Sequence, residues 1–402
     1  MMKWSFTWLN TWDEFWAPEN VRRWRELSAR PDGRSSPFMT PSFARVWLTA
    51  LGQEQFSPSF LWARHSSGQE VAWPLVVLES RLSHGFSRRL IPVGAAVRPV
   101  LPYDALFDYQ DPLVAPAAAG PCAIADGFWP ALKAELRRRQ GAGFDLCVLQ
   151  KLRCGTVEAG GAPLEEGVAP FVDLDRYADF DAYFEARSAR MRKEIRRRSR
   201  LLEARGEVEF KVHGPEDLDT ILGWLPAFEE ARLQRYTEAA LPDGYLRDLV
   251  TEGLAAGLIC ASSLSLGGKE ISWDIGLWQG GVFYAYLGSF DQAYSELSPA
   301  SIHMMELVRW LYANGATKLD FLIGQEPYKA NWTDGEEQAV RGLAVQSKAP
   351  TSAARFVLAR TMRRLEGVVP LGARVGLRRF GHAAAVHELV ELGLVFSGPQ
   401  LL

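Results

Sequence analysis

The sequence is short of the residues that most often announce a chemistry. Its 402 residues include four cysteines and six histidines. Cys122, Cys147, Cys154 and Cys260 form no C-x-x-C pair and stand at no metal-ligand spacing from the histidines. Neither a disulfide framework nor a metal centre is therefore expected, and a reducing compartment fits. No stretch reaches the roughly 18 to 20 apolar residues that a spanning helix needs. The opening "MMKWSFTWLNTWDEFW" has no uninterrupted apolar run and no small-residue cleavage site, which argues against a signal peptide. Net charge is only −3, so any electrostatic recognition has to be local. Hydrophobic residues make up 48% and charged residues 23%, which is globular usage and excludes a mainly disordered chain. A cytoplasmic protein is expected, with peripheral contact at the inner membrane face left open.

What is present is a phrase written twice. "GQEVAWPL", residues 68 to 75, returns as "GKEISWDI", residues 268 to 275. Each copy sits in a predicted hairpin. The first turns at Ser66–Ser67–Gly68–Gln69 and the second at Gly267–Gly268, with another reversal at Gly280–Gly281. Each hairpin is followed by a helical pattern that closes on a glycine, Gly141 or Gly315, and then by an apolar strand that opens on Asp145 or Asp320. Hairpin, helix and strand recur in the same order, which points to a duplicated α+β domain. The seam falls in the Gly/Ala/Pro-rich run from 154 to 170. Three regions follow: a degenerate half over 1–170, a more complete half over 171–350, and a basic amphipathic helical tail over 351–402. In the second half the order is β-α-α-β-β-β-α-β and then a terminal strand, which is the order of the GNAT acyltransferase fold.

Several motifs carry a closer resemblance. "SARMRKEIRRRSRLLEARG", the Asp and Pro of "SFDQAYSELSPAS", "LDFLIGQEPYKANW" and "DYQDPLV" resemble the GNAT-like acyltransferases of the cellulose-biosynthesis (CelD/BcsL) family over about residues 40 to 350. More distantly the chain is similar to the Fem-type aminoacyl-transferases, which are tandem GNAT modules. The resemblance implies a tandem fold of mixed sheets flanked by helices, and acyl transfer from acyl-CoA or acetyl-CoA without a metal. The glycine-rich phosphate loop of ordinary GNAT enzymes is missing. Ser298–Pro299–Ala300 stands where relatives of the cellulose type usually have Ser-Pro-Gly.

The candidate site residues fall into three groups. Ser298, Ala300 and Ser301 open a helix after the meander. Its free N–H groups and partial positive charge suit a pyrophosphate, and Ser298 is expected to cap it. Arg190, Arg192, Lys193 and Arg196 lead a cationic run whose one interleaved acid is Glu194, and guanidinium forks suit phosphate oxygens. The chemistry of acyl transfer needs a base, donors for an oxyanion and an acid for the leaving thiolate. Asp320 or Glu326 is expected as base, Tyr328 as acid and Lys329 as anion stabiliser. His303, in the first turn of the helix begun by Ser298, is a further base. Asp274 replaces Pro74 of the first copy and is expected to face a cleft. Trp73 and Trp273 are expected to fill equivalent core positions.

The expected function is acyl transfer from a thioester to an amine or hydroxyl of a cell-envelope precursor, either an amino sugar or a long-chain amino-lipid. The partners are the thioester donor, a small-molecule or lipid acceptor and, through the basic tail, an anionic membrane surface. Two alternatives stand beside it. In one, an aminoacyl-tRNA-dependent transferase grips RNA with the Arg helix; in the other, a degenerate GNAT pair binds without catalysis.

Overall fold

The computed structural model describes residues 3–29, 36–82, 85–95, 107–115, 124–139, 144–153, 162–235 and 241–346. The basic tail read over 351–402, Cys122 and Cys154 lie outside them. In chain order the first elements are β1 (Trp4–Leu9), α1 (Trp12–Phe15), α2 (Pro18–Ser28), α3 (Pro41–Leu51), β2 (Phe56–Pro58), β3 (Phe60–His65), β4 (Glu70–Trp73) and β5 (Leu75–Leu82). Next come β6 (Gly85–Pro92), β7 (Leu113–Ala115), α4 (Phe128–Arg138), β8 (Leu146–Leu152), β9 (Ala162–Asp173), α5 (Phe180–Ala186), α6 (Ala189–Glu203) and β10 (Val208–His213). The remainder are α7 (Leu218–Arg235), α8 (Tyr245–Ala255), β11 (Ile259–Leu266), β12 (Lys269–Gln279), β13 (Val282–Phe290), α9 (Pro299–Ala313), β14 (Lys318–Asp320), α10 (Lys329–Trp332) and β15 (Glu337–Gln346).

The chain divides into two units that are interleaved in sequence. One takes the described residues up to Leu27, those of Leu51–Glu166 and those from Val340 on; the other takes Ser28–Ala50 and Gly167–Ala339. The boundary after Glu166 lies inside the Gly/Ala/Pro-rich run, whereas the segment from Ser28 to Ala50 crosses over to the second unit. Aromatic packing explains that crossing, because Phe38 and Phe43 set their rings edge-on against Tyr286 of β13.

Within the first unit, Pro74 decides the topology. A proline has no N–H to give a ladder, so the strand cannot run on through it. β4 stops at Trp73 and pairs with β3 in a small antiparallel sheet ordered β1–β3–β4–β7, while β5 starts at Leu75 and pairs with β2 and β6 in another sheet. β8 adds parallel to β6, and β15 from Arg341 on pairs with β8. Phe15, Trp24 and Phe60 form an edge-to-face core cluster here.

In the second unit the same position is Asp274, and β12 runs through it unbroken. β10, β11, β12 and β13 form an antiparallel meander. Its two reversals place Gly267–Gly268 at φ 57° and 78° and Gly280–Gly281 at φ 58° and 78°. Positive φ at both central residues is the tight hairpin turn that glycine adopts without strain. β14 joins β13 in parallel, and β9 joins β14. The order from β10 to β14 is the one read from the sequence, but the terminal strand expected to complete this half, β15, pairs from Arg341 on with β8 of the first unit. α5, α6 and α9 cover one face through a core of Ile195, Phe283, Met305, Val308, Leu319 and Phe321. α7 and α8 cover the other, where Trp224 meets Trp273 and Tyr245 meets Tyr286. No helix among the described residues is long and apolar enough to cross a membrane.

Candidate active site

The site of the second unit begins where two parallel strands part. β13 and β14 pair only at Val282↔Lys318, Phe283↔Leu319 and Tyr284↔Asp320. Asp320 causes the parting. Its Oδ1 accepts from the Leu322 N–H at 2.9 Å and its Oδ2 accepts from Lys318 Nζ at 3.0 Å, which turns the chain. Leu322 takes φ 60° in that turn, a left-handed conformation that costs a leucine about 1–2 kcal/mol. From Ala285 to Phe290, no strand among the described residues pairs with that edge of β13. The same strand carries a bulge: Ile275 pairs with Leu287 but Leu277 with Tyr284, so β13 fits one residue more than β12. The extra residue stands outside the ladder.

Behind that edge lies a carboxyl group without a partner among the described residues. Asp274 sits directly across from Gly288 in register. It is 7% exposed and its Oδ1 has no hydrogen-bond partner. Burial pushes its pKa up to about 7. Gly288, by contrast, is exposed. A Cβ at Gly288 would stand 3.2 Å from Asp274 Oδ2, so a side chain there would cover the carboxyl. The glycine is a window onto Asp274.

α9 starts close by in sequence. Pro299 takes its first position, as read from the sequence, but Ser298 does not cap it. Ser298 adopts φ 51° and its side chain makes no capping bond. Its carbonyl instead accepts from the Ser301 and Ile302 N–H groups. Pro299 has no N–H, so the first-turn donor still unengaged within the helix is Ala300. The helix end thus keeps its partial positive charge uncapped, and Ala300 and Ser301 are small enough for a phosphate to approach.

α6 runs antiparallel to α9. Leu202 shares a core cluster with Leu297 and Ile302, whereas Ile195 sits with Met305 and Val308. The end of α6 nearest the start of α9 is therefore the one around Leu202, which carries Arg198 and Arg200 and is followed by Arg205; the Arg200 side chain lies back along α6, its Nε donating to the Arg196 carbonyl at 3.3 Å. Arg190 and Lys193 lie about 18 and 13 Å further along the helix. Arg192 and Arg196 both pair with Glu185 of α5, and Arg197 and Arg198 both pair with Glu194. The structure does not gather Arg190, Arg192, Lys193 and Arg196 around Ser298.

His303 is enclosed. Its Nε2 meets Ser262 Oγ at 2.8 Å and its Nδ1 meets Ser272 Oγ at 3.0 Å, while the Ser272 hydroxyl donates to the Ser289 carbonyl at 3.3 Å. That chain of donors makes Nδ1 the protonated nitrogen and Nε2 the acceptor. Burial pulls its pKa down to about 3, so the ring stays neutral. Both nitrogens are engaged in holding α9 on β11 and β12.

The loop after β14 is closed by Lys329. Its ammonium donates to the carbonyls of Leu322, Ile323 and Gly324 at 3.3, 3.3 and 3.2 Å and pairs with Glu326 at 2.7 Å. At 3% exposure, Lys329 shapes the loop and has little reach beyond it. Glu326 is half-exposed beside it, and Tyr328 is exposed with its ring against Phe321. Arg187, which the sequence did not single out, anchors the far side of the loop. It donates to the Trp332 carbonyl at 2.9 Å and to the Tyr177 hydroxyl at 2.7 Å, and pairs with Asp334. Gly288 and Arg205 also carried no expectation as site candidates, whereas Arg200 was read as part of the cationic run. A glycine inside a strand pattern was the only signal for Gly288.

Among the described residues no group of three or more His, Cys, Asp or Glu could hold a metal. Residues 189–330 match the family model of the acetyltransferase (GNAT) domain. No curated protein sequence matches the chain. Among solved structures, FemX resembles it with a TM-score of 0.55 at 8% identity, over 81% of this chain and 96% of that one. The C-terminal DUF2156 domain of a provisionally named lysylphosphatidylglycerol synthetase from Agrobacterium fabrum scores 0.50 at 13% identity, over 84% and 94%. A tandem GNAT protein from the clavulanic acid biosynthesis pathway scores 0.41 at 12% identity, over 85% and 98%. The chain is an acyltransferase-type enzyme with an α+β, GNAT-like fold.

Proposed function

We propose that the second unit moves an acyl group from a coenzyme A thioester to an amine or hydroxyl of a cell-envelope precursor, with Asp274 as the base. The observation that carries this reading is the unpartnered Asp274 carboxyl behind an exposed glycine, at the open edge of β13. A base poised near pH 7 has the proton affinity that such a transfer needs. The residues around the split strands supply the rest. The uncapped start of α9, with Arg200 and Arg205 on the adjoining end of α6, suits the phosphates of the donor. The β13 bulge offers a backbone N–H to the thioester oxygen. The acceptor's nitrogen or oxygen forms the new bond to the acyl carbon, Asp274 takes its proton, and the carbon–sulfur bond breaks. The proton then passes to the departing thiolate. His303 and Asp320 hold the scaffold in this account, and Lys329 holds the loop. The first unit, with Pro74 in place of the acid, acts as a degenerate partner.

Donor binding gives the first test. Charge reversal at Arg200 and Arg205 together is expected to weaken acetyl-CoA binding about 10-fold or more, and the same change at Arg190 and Lys193 to leave it within about threefold. Calorimetry at two salt concentrations reads both. Equal losses would remove the α9 end as the phosphate seat. Acyl transfer that RNase abolishes would point instead to an aminoacyl-tRNA donor spread along the length of α6.

A further inference from the structure

Trp73 and Trp273 stand at the same place in the repeated phrase, yet their indoles differ. Trp73 donates its Nε1–H to the Gln110 carbonyl at 3.0 Å. Trp273, 4% exposed, has no acceptor for its Nε1–H among the described residues. Three neighbours on the α7 face share that state. Ser289 lies in register across from Trp273 and its Oγ is unpartnered. Trp224 of α7 sets its ring 6.4 Å from that of Trp273 at an interplanar angle of 30°, and its Nε1–H is unpartnered as well. His213 lies 6.3 Å from the Trp224 ring. Its Nε2 meets Ser263 Oγ at 2.9 Å, while Nδ1 has no hydrogen bond and Asp217 Oδ2 stands 3.7 Å away. Buried polar groups are rarely left unmet, and four in one place need an explanation beyond packing.

The chemistry of the cluster restricts its ligand. An indole nitrogen only donates, so both tryptophans require acceptor oxygens. Burial, with Lys211 nearby, lowers the pKa of His213, so its ring is neutral and lends an anion no charge. The two near-parallel indole faces offer an apolar wall for a ring or a short chain. Position matters too. Residues 273 and 274 point to opposite faces of β12, and Ser289 follows Gly288 on β13. A group held here lies on the far side of the same strand edge from Asp274.

We infer that Trp224, Trp273, Ser289 and His213 form the acceptor-side subsite, taking an uncharged group whose hydroxyl or amide oxygens sit on an apolar frame. The inference rests on the acyltransferase reading and names the acceptor chemistry within it. Its test is the indole N–H resonances of the full chain labelled with ¹⁵N-tryptophan, assigned with Trp224→Phe and Trp273→Phe. Methyl N-acetylglucosaminide, N-acetylethanolamine and acetate are titrated in turn. Saturable shifts of both indoles with a neutral probe, and none with acetate, are expected. The sugar arm or the acyclic arm then identifies the source of the oxygens. Each Phe variant loses no hydrogen bond but leaves a small cavity, so its Tm is expected to fall by a few degrees, and it is expected to weaken the probe about fivefold. Indoles that no neutral probe moves, or Phe variants that bind it as the parent does, would overturn the proposal and leave a buried water only. Ser289→Ala gives an independent reading should a Phe variant fail to fold. Silent indoles alongside an inactive Asp274→Asn variant would reject this subsite while sparing the catalytic reading.

Discussion

Asp274→Asn is expected to lower turnover by about 10² to 10⁴-fold, the usual contribution of a positioned base. Asparagine keeps the shape of the side chain and cannot take a proton. In the parent, kcat/KM should rise as pH increases towards about 7 and then level off, whereas the variant should be flat at its low rate. Stability should move the other way. Because burial raises the folded-state pKa of Asp274 to about 7, the folded protein keeps a proton that the unfolded chain releases at lower pH. The protonated group is fully compatible with the fold below the ordinary aspartate range. Between that range and about 7 the folded state retains the proton that the unfolded chain releases, so stability falls by roughly 1.4 kcal/mol per pH unit and then levels off. Asp274→Asn should therefore raise Tm at pH 8 and leave it nearly unchanged at pH 4. A variant that turns over at the parent rate would remove Asp274 as the base, even if the Tm pattern held.

Gly288→Val should close the window while sparing the fold. The position is exposed on an extended strand without positive φ, so a β-branched side chain suits the backbone. Its Cβ, however, would start 3.2 Å from Asp274 Oδ2, and the two γ-methyls would extend over the edge. Displacing reactants by about 1 Å can reduce rate 10²-fold. On that scale Gly288→Val is expected to cut kcat/KM about 100-fold and Gly288→Ala about 10-fold, with Tm within a few degrees of the parent. Activity within twofold of the parent in Gly288→Val would mean that substrates do not reach Asp274 across this edge. The pair of variants separates access from proton transfer, since Gly288→Val should still speed up with rising pH, its midpoint moved upward by the added burial, whereas Asp274→Asn should not.

The fold was legible where local chemistry is decisive. Paired glycines at 267–268 and 280–281 fixed the meander reversals, and Pro299 marked the start of α9. The exchange of Pro74 for Asp274 was also visible, with its hint that only one copy keeps a working acid. Its topological consequence was not, because a strand changing sheets after Trp73 depends on partners distant in sequence. The same limit hid the transfer of residues 28–50 to the second unit. Asp320 and Lys329 look catalytic in sequence because they are charged residues at and beyond a strand end. The structure gives each a set of local partners that only the turn at Leu322 brings within reach. The Arg run was read as one patch, yet the antiparallel run of α6 along α9 leaves only its C-terminal end near the helix start. Gly288 carried almost no signal, since its meaning comes from the register that sets it across from Asp274.

The central claim is that the split between β13 and β14, with the start of α9, seats the thioester donor. Hydrogen–deuterium exchange of the full chain with and without acetyl-CoA tests it most directly, since binding slows local opening where the ligand sits. The account predicts protection of peptides covering residues 284–302, with the loop of 321–329 protected to a lesser degree. Protection confined to the hairpin around Trp73, or none at saturating acetyl-CoA, would contradict it.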